Sequence, residues 1–267
     1  MSLSKRQLRI YQSILEGIDV EPGAERAVEV TQTPSSIPSV LELGDLATAV
    51  FSAMAVLVNQ FGRLRGLPQQ RIAIDRRQAG MMFNSIAYFF RGGWQVDISA
   101  VHSPVNNFFR TRDDHWIFFQ GAYPHLRDGL LRFLGCANDS AAIAEAATKW
   151  DAPALEDEIS ALNLCAAVLR TRDEWIAHPQ GQALAEATPI QLEFNETRSS
   201  RNLSRNVVRP LQGVKVLDLT HVVAGPTIGR LLAEQGAEVI HVQYPYRDSI
   251  LGFDLETSFG KSVSIWI

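Results

Sequence analysis

The stretch VKVLDLTHVVAGPTIGRLLAEQGAEVIHV, residues 214–242, decides the fold class. It begins with the apolar run Val214–Leu219, which predicts a strand, and continues through a loop of small and polar residues over Thr220–Pro226. Helical spacing then predicts a helix over Thr227–Gln235, which a glycine ends, before a second β-type run at Glu238–Val242. Strand, loop, helix and strand in this order indicate a βαβ unit with a parallel sheet.

A third strand is predicted at the end of the chain, over Gly260–Ile267. Three parallel strands make part of a Rossmann-like fold and leave a sheet edge exposed, so we expect the fold to be incomplete here. The G-x-G-x-x-G fingerprint is absent, which argues against a standard dinucleotide site.

The part of the chain before residue 190 indicates a mixed α+β region. Apolar residues at helical spacing predict one long helix from Leu43 to Phe61, and alternation over Gln70–Asp75 predicts a strand. A hairpin is predicted from Asn107–Arg110 and His115–Phe119 around a turn at Asp113–Asp114.

Helices dominate the region that follows the hairpin, at about Pro124–Leu134, Ser140–Trp150, Ala154–Leu162 and Arg172–Ala177. Asp139, Asp151 and Thr171 precede three of them and are predicted to be N-caps.

A polar stretch from Gln191 to Gln212 interrupts the hydrophobic periodicity and predicts an interdomain linker. Solvated side chains explain its arginines better than phosphate binding does: Arg198, Arg201, Arg205 and Arg209. The predicted domains are therefore an α+β region over residues 1–190, a linker over 191–210 and a Rossmann-like domain over 211–267.

The composition excludes several classes of protein. The 267 residues include 25 Lys and Arg against 29 Asp and Glu, a net charge of −4, which gives no basis for binding nucleic acid or an anionic membrane. A hydrophobic share of 46% excludes disorder, and we expect neither a signal peptide nor a membrane-spanning segment. The two isolated cysteines, Cys136 and Cys165, favour a reducing compartment. We therefore expect a soluble cytoplasmic protein.

The turn Ala224–Pro226 is the best candidate for ligand binding. It lies where a strand leads into a helix, so backbone N–H groups and the positive end of the helix dipole would face a phosphate. An ordinary tight βα turn explains these residues about equally well. Asp113, Asp114 and His115 are better explained as turn residues than as acid–base or metal groups, and we predict no metal site.

Residues 211–242 resemble the opening of the family III CoA-transferases, also called the CaiB/BaiF family. Gly260-Lys261-Ser262 resembles the family's GKR-type motif, with Ser262 in place of the usual Arg, so the expected pocket has one cation fewer. Residues 45–75 resemble a helix and GxGQ-type turn that normally follow the catalytic region, and residues 106–185 resemble the family's small domain. The chain therefore resembles a truncated two-part member.

The resemblance implies coenzyme A binding at the AGP-like turn. His221, Val222, Val223 and Ala224 are the expected contacts there, with Lys261 from the GKR-type motif. 

The family often has a further basic residue after the second strand, near the nucleotide phosphates. Arg247 is the candidate, although a solvated loop charge explains it equally well. Asp218 is expected to cap or brace the strand end, and Asp248 resembles an acid in the family's loop near the nucleotide.

The family's transferases use an aspartate well downstream of the GKR-type motif. This chain ends before that region, so we expect no catalytic residue in it and no activity from the chain alone. The resemblance leaves three functions open: CoA transfer between an acyl-CoA and a carboxylic acid, acyl-CoA racemisation of the α-methylacyl-CoA racemase type, and non-catalytic CoA binding or assembly. It also implies an interlaced homodimer for the full-length form.

Overall fold

The computed structural model describes residues 2–188, 190–193, 204–246 and 248–265. The first half contains these elements in chain order: α1 (Lys5–Ile14), β1 (Val28–Thr31), α2 (Leu43–Leu64), β2 (Ile72–Asp75), α3 (Arg76–Phe83), β3 (Phe90–Arg91), β4 (Trp94–Gln95), β5 (Phe108–Arg110), β6 (Trp116–Phe119) and α4 (Pro124–Leu134). The second half continues with α5 (Ser140–Ala147), α6 (Ala152–Ala161), β7 (Ala166–Val168), α7 (Arg172–Ala177), α8 (Pro179–Leu184), β8 (Lys215–Asp218), α9 (Ala224–Glu234), β9 (Glu238–Gln243), α10 (Leu251–Thr257) and β10 (Ser262–Ile265). The predicted mixture of helices and sheets is confirmed.

The chain forms two compact units that are discontinuous in sequence. The first unit comprises Met1–Gln95, Thr188–Pro245 and Asp254–Ile267, and the second comprises Val96–Ala187 and Tyr246–Phe253. The continuous domains predicted over 1–190, 191–210 and 211–267 stay a prediction.

The predicted βαβ unit lies in the first compact unit. Strands β8, β9 and β10 form a parallel sheet in the order β10-β9-β8, with Val216 opposite Val239 and His241 opposite Val263. Ala233, Ala237 and Val239 form the small core between helix α9 and this sheet. Both predicted strands and the start of the third strand are confirmed over the described residues.

Helix α9 differs from the sequence prediction at its start. It begins at Ala224 and not at Thr227, so the Ala-Gly-Pro sequence forms its first turn. Pro226 is tolerated there because the first N–H groups of a helix have no intrahelical partner. Helix α10, between β9 and β10, was not predicted, because its seven residues give too little periodicity to detect.

A second layer of the first unit packs α1 and α2 against the parallel pair β1 and β2. Val28 pairs with Ile72 and Val30 with Ile74. The buried side chains are Tyr11, Leu15, Val28, Val30, Ala49, Ala53, Val56 and Ile72. The predicted long helix is confirmed as α2, and the predicted strand as β2.

Helix α2 corrects the expectation that no segment is long and apolar enough to span a membrane. Its 22 residues pass that test by length and composition alone. One face packs in the core just described, through Ala49, Ala53 and Val56. The apolar content of α2 therefore has a place in a protein core.

The end of the stretch predicted to be a linker is packed over residues 204–212. The buried guanidinium of Arg65 donates hydrogen bonds to the carbonyls of Ser204, Pro210 and Gln212 at 2.7–3.0 Å. The side chain of Arg209 also lies against Gly236 and donates to the carbonyl of Glu234. Arg198 and Arg201 lie outside the described residues.

The second compact unit is built on the antiparallel sheet β5-β6-β7. The predicted hairpin is confirmed: Phe109 lies opposite Ile117, and Asp114 adopts φ 65° in the turn. Its core consists of Val105, Phe109, Ile117, Phe119, Leu130, Ile143, Ala147, Leu155 and Ile159. The four predicted helices are confirmed as α4, α5, α6 and α7, with α5 ending earlier, at Ala147.

The three predicted residues all occupy N-cap positions, and two of them cap their helix through the side chain. Asp139 accepts hydrogen bonds from Ala141 N and Ala142 N, and Thr171 forms a capping box with Glu174. Asp151 occupies the N-cap position of α6, but its side chain does not cap the helix and instead accepts two hydrogen bonds from the Arg112 guanidinium, at 2.9 and 2.7 Å.

Candidate functional site

The candidate site is the loop that joins strand β8 to helix α9. The strand ends at Asp218 and the helix begins at Ala224. Val222, between them, adopts φ 74°, a left-handed conformation that costs a β-branched residue roughly 1–2 kcal/mol. Strain of this kind persists only where the surrounding structure holds it, and it clusters at ligand sites.

Helix α9 starts without a side-chain cap. Val223 occupies the N-cap position and its carbonyl accepts from Thr227 N, but within the described part of the chain no side-chain hydrogen bond caps the helix there. Ala224 is exposed, as is Val222. Uncapped N–H groups and the helix dipole together attract an anion at this end of the helix.

Gly225 brings the first turn of α9 directly against the loop. A Cβ at this position would lie 2.3 Å from Cβ of Thr220 and 2.5 Å from its Oγ1. Only glycine therefore fits here, and its absence of a side chain sets the distance between loop and helix.

A buried ion pair connects the strand before the loop to the helix after it. Lys261 Nζ donates to Asp218 Oδ2 at 2.8 Å and to the carbonyl of Pro226 at 2.6 Å, and both side chains are almost fully buried. Asp218 Oδ1 also accepts from the backbone N–H of Thr220 at 3.0 Å. The predicted role of Asp218 in bracing the strand end is confirmed.

The ionisation of Asp218 follows from these contacts. Burial raises the pKa of its carboxyl, but the hydrogen bonds from Lys261 and Thr220 outweigh burial and hold the pKa below its ordinary value. Asp218 is therefore a carboxylate at neutral pH, paired with the Lys261 ammonium.

Residues 211–260, which include this loop, match the family model described as CoA-transferase family III. This segment is similar to the family III CoA-transferases. The resemblance seen in the sequence is thereby confirmed for the segment that carries the loop, Gly260 included.

Two curated relatives show the same local similarity. The acetyl-coenzyme A transferase nodX of Hypoxylon pulicicidum is 47% identical over 53 residues, which are 20% of this chain and 9% of the relative. The human succinyl-CoA:glutarate CoA-transferase is 55% identical over 40 residues, 15% of this chain and 9% of the relative. The matches thus span about a tenth of the length of these relatives.

A crystal structure of Rv3272 from Mycobacterium tuberculosis aligns with 61% of this chain and 53% of its own, at 16% identity and a TM-score of 0.47.

Four of the predicted coenzyme A contacts lie in the β8–α9 loop and at the start of α9: His221, Val222, Val223 and Ala224. Lys261 lies beside the same loop, with its ammonium on Asp218 and Pro226. Arg247 lies outside the described residues. All six coenzyme A contacts stay predictions.

Asp248, the predicted acid near the nucleotide, belongs to the second compact unit. Its Oδ2 lies 3.4 Å from Nδ1 of His125.

His241 supports the β8–α9 loop in a way that the sequence did not indicate. Its ring is buried on strand β9, and Nε2 lies 3.1 Å from the carbonyl of Thr220. Because a carbonyl only accepts, Nε2 carries the proton of this hydrogen bond. The opposite ring atom, Nδ1, is buried and has no hydrogen-bond partner among the residues that the structure describes.

A second buried ion pair joins helix α9 to helix α10. Arg230 pairs with Glu256, and each side chain is about 5% exposed. Arg230 is also within 3.3 Å of Glu234, one helical turn along α9. The sequence signal for the second contact was the i, i+4 spacing of Arg230 and Glu234, whereas nothing local indicated Glu256.

Asp113, Asp114 and His115 lie in the turn between β5 and β6. Asp113 accepts from the Thr111 hydroxyl at 2.6 Å and from Ala152 N at 3.1 Å, and hydrogen bonding from Thr111 is the main cause that lowers its pKa. Within the described ranges, no group of three or more His, Cys, Asp or Glu is placed to hold a metal ion. The predicted absence of a metal stays a prediction.

Proposed function

We propose that this chain is part of a family III CoA-transferase, which moves coenzyme A between an acyl-CoA and a carboxylic acid. The observation that carries the proposal is the match of residues 211–260 to the family, because that segment contains the β8–α9 loop and the helix start. Both curated relatives described above are named as transferases that act on CoA compounds. Their names support transfer over racemisation.

The proposed role of the loop is to hold the phosphates of coenzyme A. The uncapped start of α9 offers N–H groups of Ala224 and Gly225 and the positive end of the helix dipole. The left-handed Val222 supports this role, since it shapes the loop at some cost in stability. His221, Val222, Val223, Ala224 and Arg247 remain the candidate phosphate contacts, while Lys261 is the sixth predicted residue of the site and lies beside the loop.

The parallel β8-β9-β10 sheet with α9 is proposed to be part of a Rossmann-like domain. In open parallel sheets, ligands bind beyond the carboxyl ends of the strands, where the β8–α9 loop lies. Within this proposal the chain binds and orients coenzyme A, and no described residue is assigned to making or breaking the acyl bond.

A homodimer is proposed as the working form. Leu217, Leu219 and Ile240 leave an apolar surface exposed on the β8-β9-β10 sheet. Parallel sheets are ordinarily covered on both faces, so this exposed surface supports a contact with another chain. Size-exclusion chromatography with light scattering tests the proposal, and a monomer at all concentrations would contradict it.

The cytoplasm is the proposed location. Cys136 and Cys165 are free thiols, and such cysteines persist in a reducing compartment. Fractionation of source cells tests this, and recovery from a secreted fraction would contradict it.

Isothermal titration of the full chain with free coenzyme A tests the binding proposal. We expect saturable binding at one site per chain, and weaker binding of pantetheine, which lacks the nucleotide phosphates. Transfer from succinyl-CoA or acetyl-CoA to a carboxylic acid is assayed in parallel on the same preparation. Absence of coenzyme A binding at millimolar concentration would contradict the proposed function.

A further inference from the structure

Lys261 is bound on both sides of the β8–α9 loop at once. Its ammonium meets the carboxylate of Asp218, just before the loop, and the carbonyl of Pro226, just after it. The Lys261 side chain has no exposed surface and Asp218 retains only 3%. One buried cation therefore joins the end of β8, the first turn of α9 and the start of β10.

The Asp218 carboxylate also connects the ion pair to the loop itself. Asp218 Oδ2 receives Lys261, while Oδ1 accepts from the backbone N–H of Thr220. Thr220 in turn touches Gly225 and accepts from His241 through its carbonyl. A displacement of the ion pair is therefore transmitted to both ends of the loop that contains Val222.

Helix α9 makes room for the ion pair at Gly229. A Cβ there would lie 2.6 Å from Asp218 Oδ2 and 3.0 Å from both Cε and Nζ of Lys261. Because residue 229 is a glycine, helix α9 packs directly on the ion pair. Substitution of Gly229 thus disturbs the pair and leaves both charges in the chain.

We propose that Lys261 is a positioning residue: with Asp218 it fixes the β8–α9 loop in its binding shape, and it does not itself contact the coenzyme A phosphates. This inference rests on the proposed function, since it assigns a role within the coenzyme A site. It also explains the low exposure of the Lys261 side chain, because an ammonium that met a soluble phosphate would need an open path to it.

Second-site rescue separates positioning from direct contact. Lys261→Met leaves the Asp218 carboxylate buried without its cation, and we expect coenzyme A affinity to fall by about tenfold. Adding Asp218→Asn removes the unpaired charge, so the double variant should recover most of that loss. A direct contact predicts no recovery, because the cation is absent from both variants.

Gly229→Ala provides a second test that keeps the cation. If Lys261 acts by position, the added methyl should lower coenzyme A affinity even though both charges remain. Gly62→Ala on α2 is the matched control, since its Cβ would make only ordinary contacts, at 3.4 Å or more. Unfolding midpoints measured on every variant separate a local change at the loop from a loss of fold.

The possible outcomes distinguish the two proposals. Titration of the unsubstituted full chain comes first, and its failure to bind coenzyme A overturns the proposed function and the inference with it. Binding by the unsubstituted chain with equal affinity in Lys261→Met and Gly229→Ala overturns the inference alone. Weak binding by Lys261→Met without recovery in the double variant also overturns it, in favour of direct contact. If Lys261→Met does not fold, the coenzyme A affinities of the double variant and of Gly229→Ala decide between positioning and direct contact.

Discussion

Gly225 and Thr220 lie so close together that no side chain fits between them, with an ideal Cβ at 225 only 2.3 Å from Cβ of Thr220. This contact sets how near the first turn of α9 comes to the loop that precedes it. The geometry of the candidate site therefore depends on the absence of a single methyl group, which a stability measurement can test.

We expect Gly225→Ala to destabilise the fold by about 1–3 kcal/mol, because an overpacked contact must be relieved by moving backbone. Coenzyme A affinity should fall as well, since the displaced segment carries the proposed contacts. Urea denaturation and titration calorimetry measure the two effects. Gly62→Ala serves as the control, because the same exchange in an uncrowded helical position should be neutral or stabilising by up to about 1 kcal/mol.

Ala224→Asp separates binding from stability at the start of α9. Ala224 is exposed at the first position of the helix, where a carboxylate interacts favourably with the dipole, by about 0.3–1 kcal/mol. The same charge repels a phosphate. We therefore expect unchanged or higher stability with coenzyme A affinity reduced about tenfold or more.

The control for this prediction is Ile228→Asp, one turn further along the exposed side of the same helix. It adds an equal charge away from the helix start, and its affinity should stay near that of the unsubstituted chain. Equal affinity of Ala224→Asp and the unsubstituted chain would contradict phosphate binding at this end of α9.

Local patterns in the sequence predicted much of the fold. The apolar and β-type runs that identified β8 and β9 and the helical spacing that identified α9 are properties of neighbouring residues, and so is the N-cap at Thr171. The position of the candidate loop followed directly from the order of strand and helix. The start of α9 was placed three residues late, because Ala-Gly-Pro is weakly helical in isolation and becomes helical where loop and helix pack together.

The contacts that hold the site join residues far apart in the sequence. Asp218 and Lys261 are 43 residues apart, and Arg230 and Glu256 are 26 apart. No local periodicity connects such pairs, so Lys261 was predicted as a ligand contact without its buried partner. The role of Arg65 could not be predicted for the same reason, because its carbonyl partners lie about 140 residues away in a stretch predicted to be a linker.

Arg65→Met tests whether residues 204–212 are held by that guanidinium. Arg65 is 3% exposed and donates to three backbone carbonyls, and hydrogen bonds from a charged donor contribute about 1.5–3 kcal/mol each. We expect a loss of about 2–4 kcal/mol in unfolding free energy, with faster amide hydrogen exchange over residues 204–212.

Arg63→Met, in the last turn of α2 and two residues before Arg65, is the control for this prediction. Arg63 is partly exposed and pairs with Glu21 at the surface, so its loss should cost less than about 1 kcal/mol. Equal exchange rates over 204–212 in Arg65→Met and the unsubstituted chain would show that the segment is held by other contacts.

Asp218 should make the fold sensitive to acid. Its pKa lies below the ordinary value of about 3.9 in the folded chain, so the unfolded chain binds its proton first. The stabilisation is therefore complete at neutral pH and is lost as the pH falls below about 4 and through the folded pKa.

Asp218→Asn should lower the free energy of unfolding at pH 7 and flatten the acid limb of its plot against pH. Glu29→Gln, at the exposed Arg71 pair, should leave that limb nearly unchanged, because solvent screens the lost interaction. Parallel acid limbs for Asp218→Asn and the unsubstituted chain would contradict the pairing of Asp218 with Lys261.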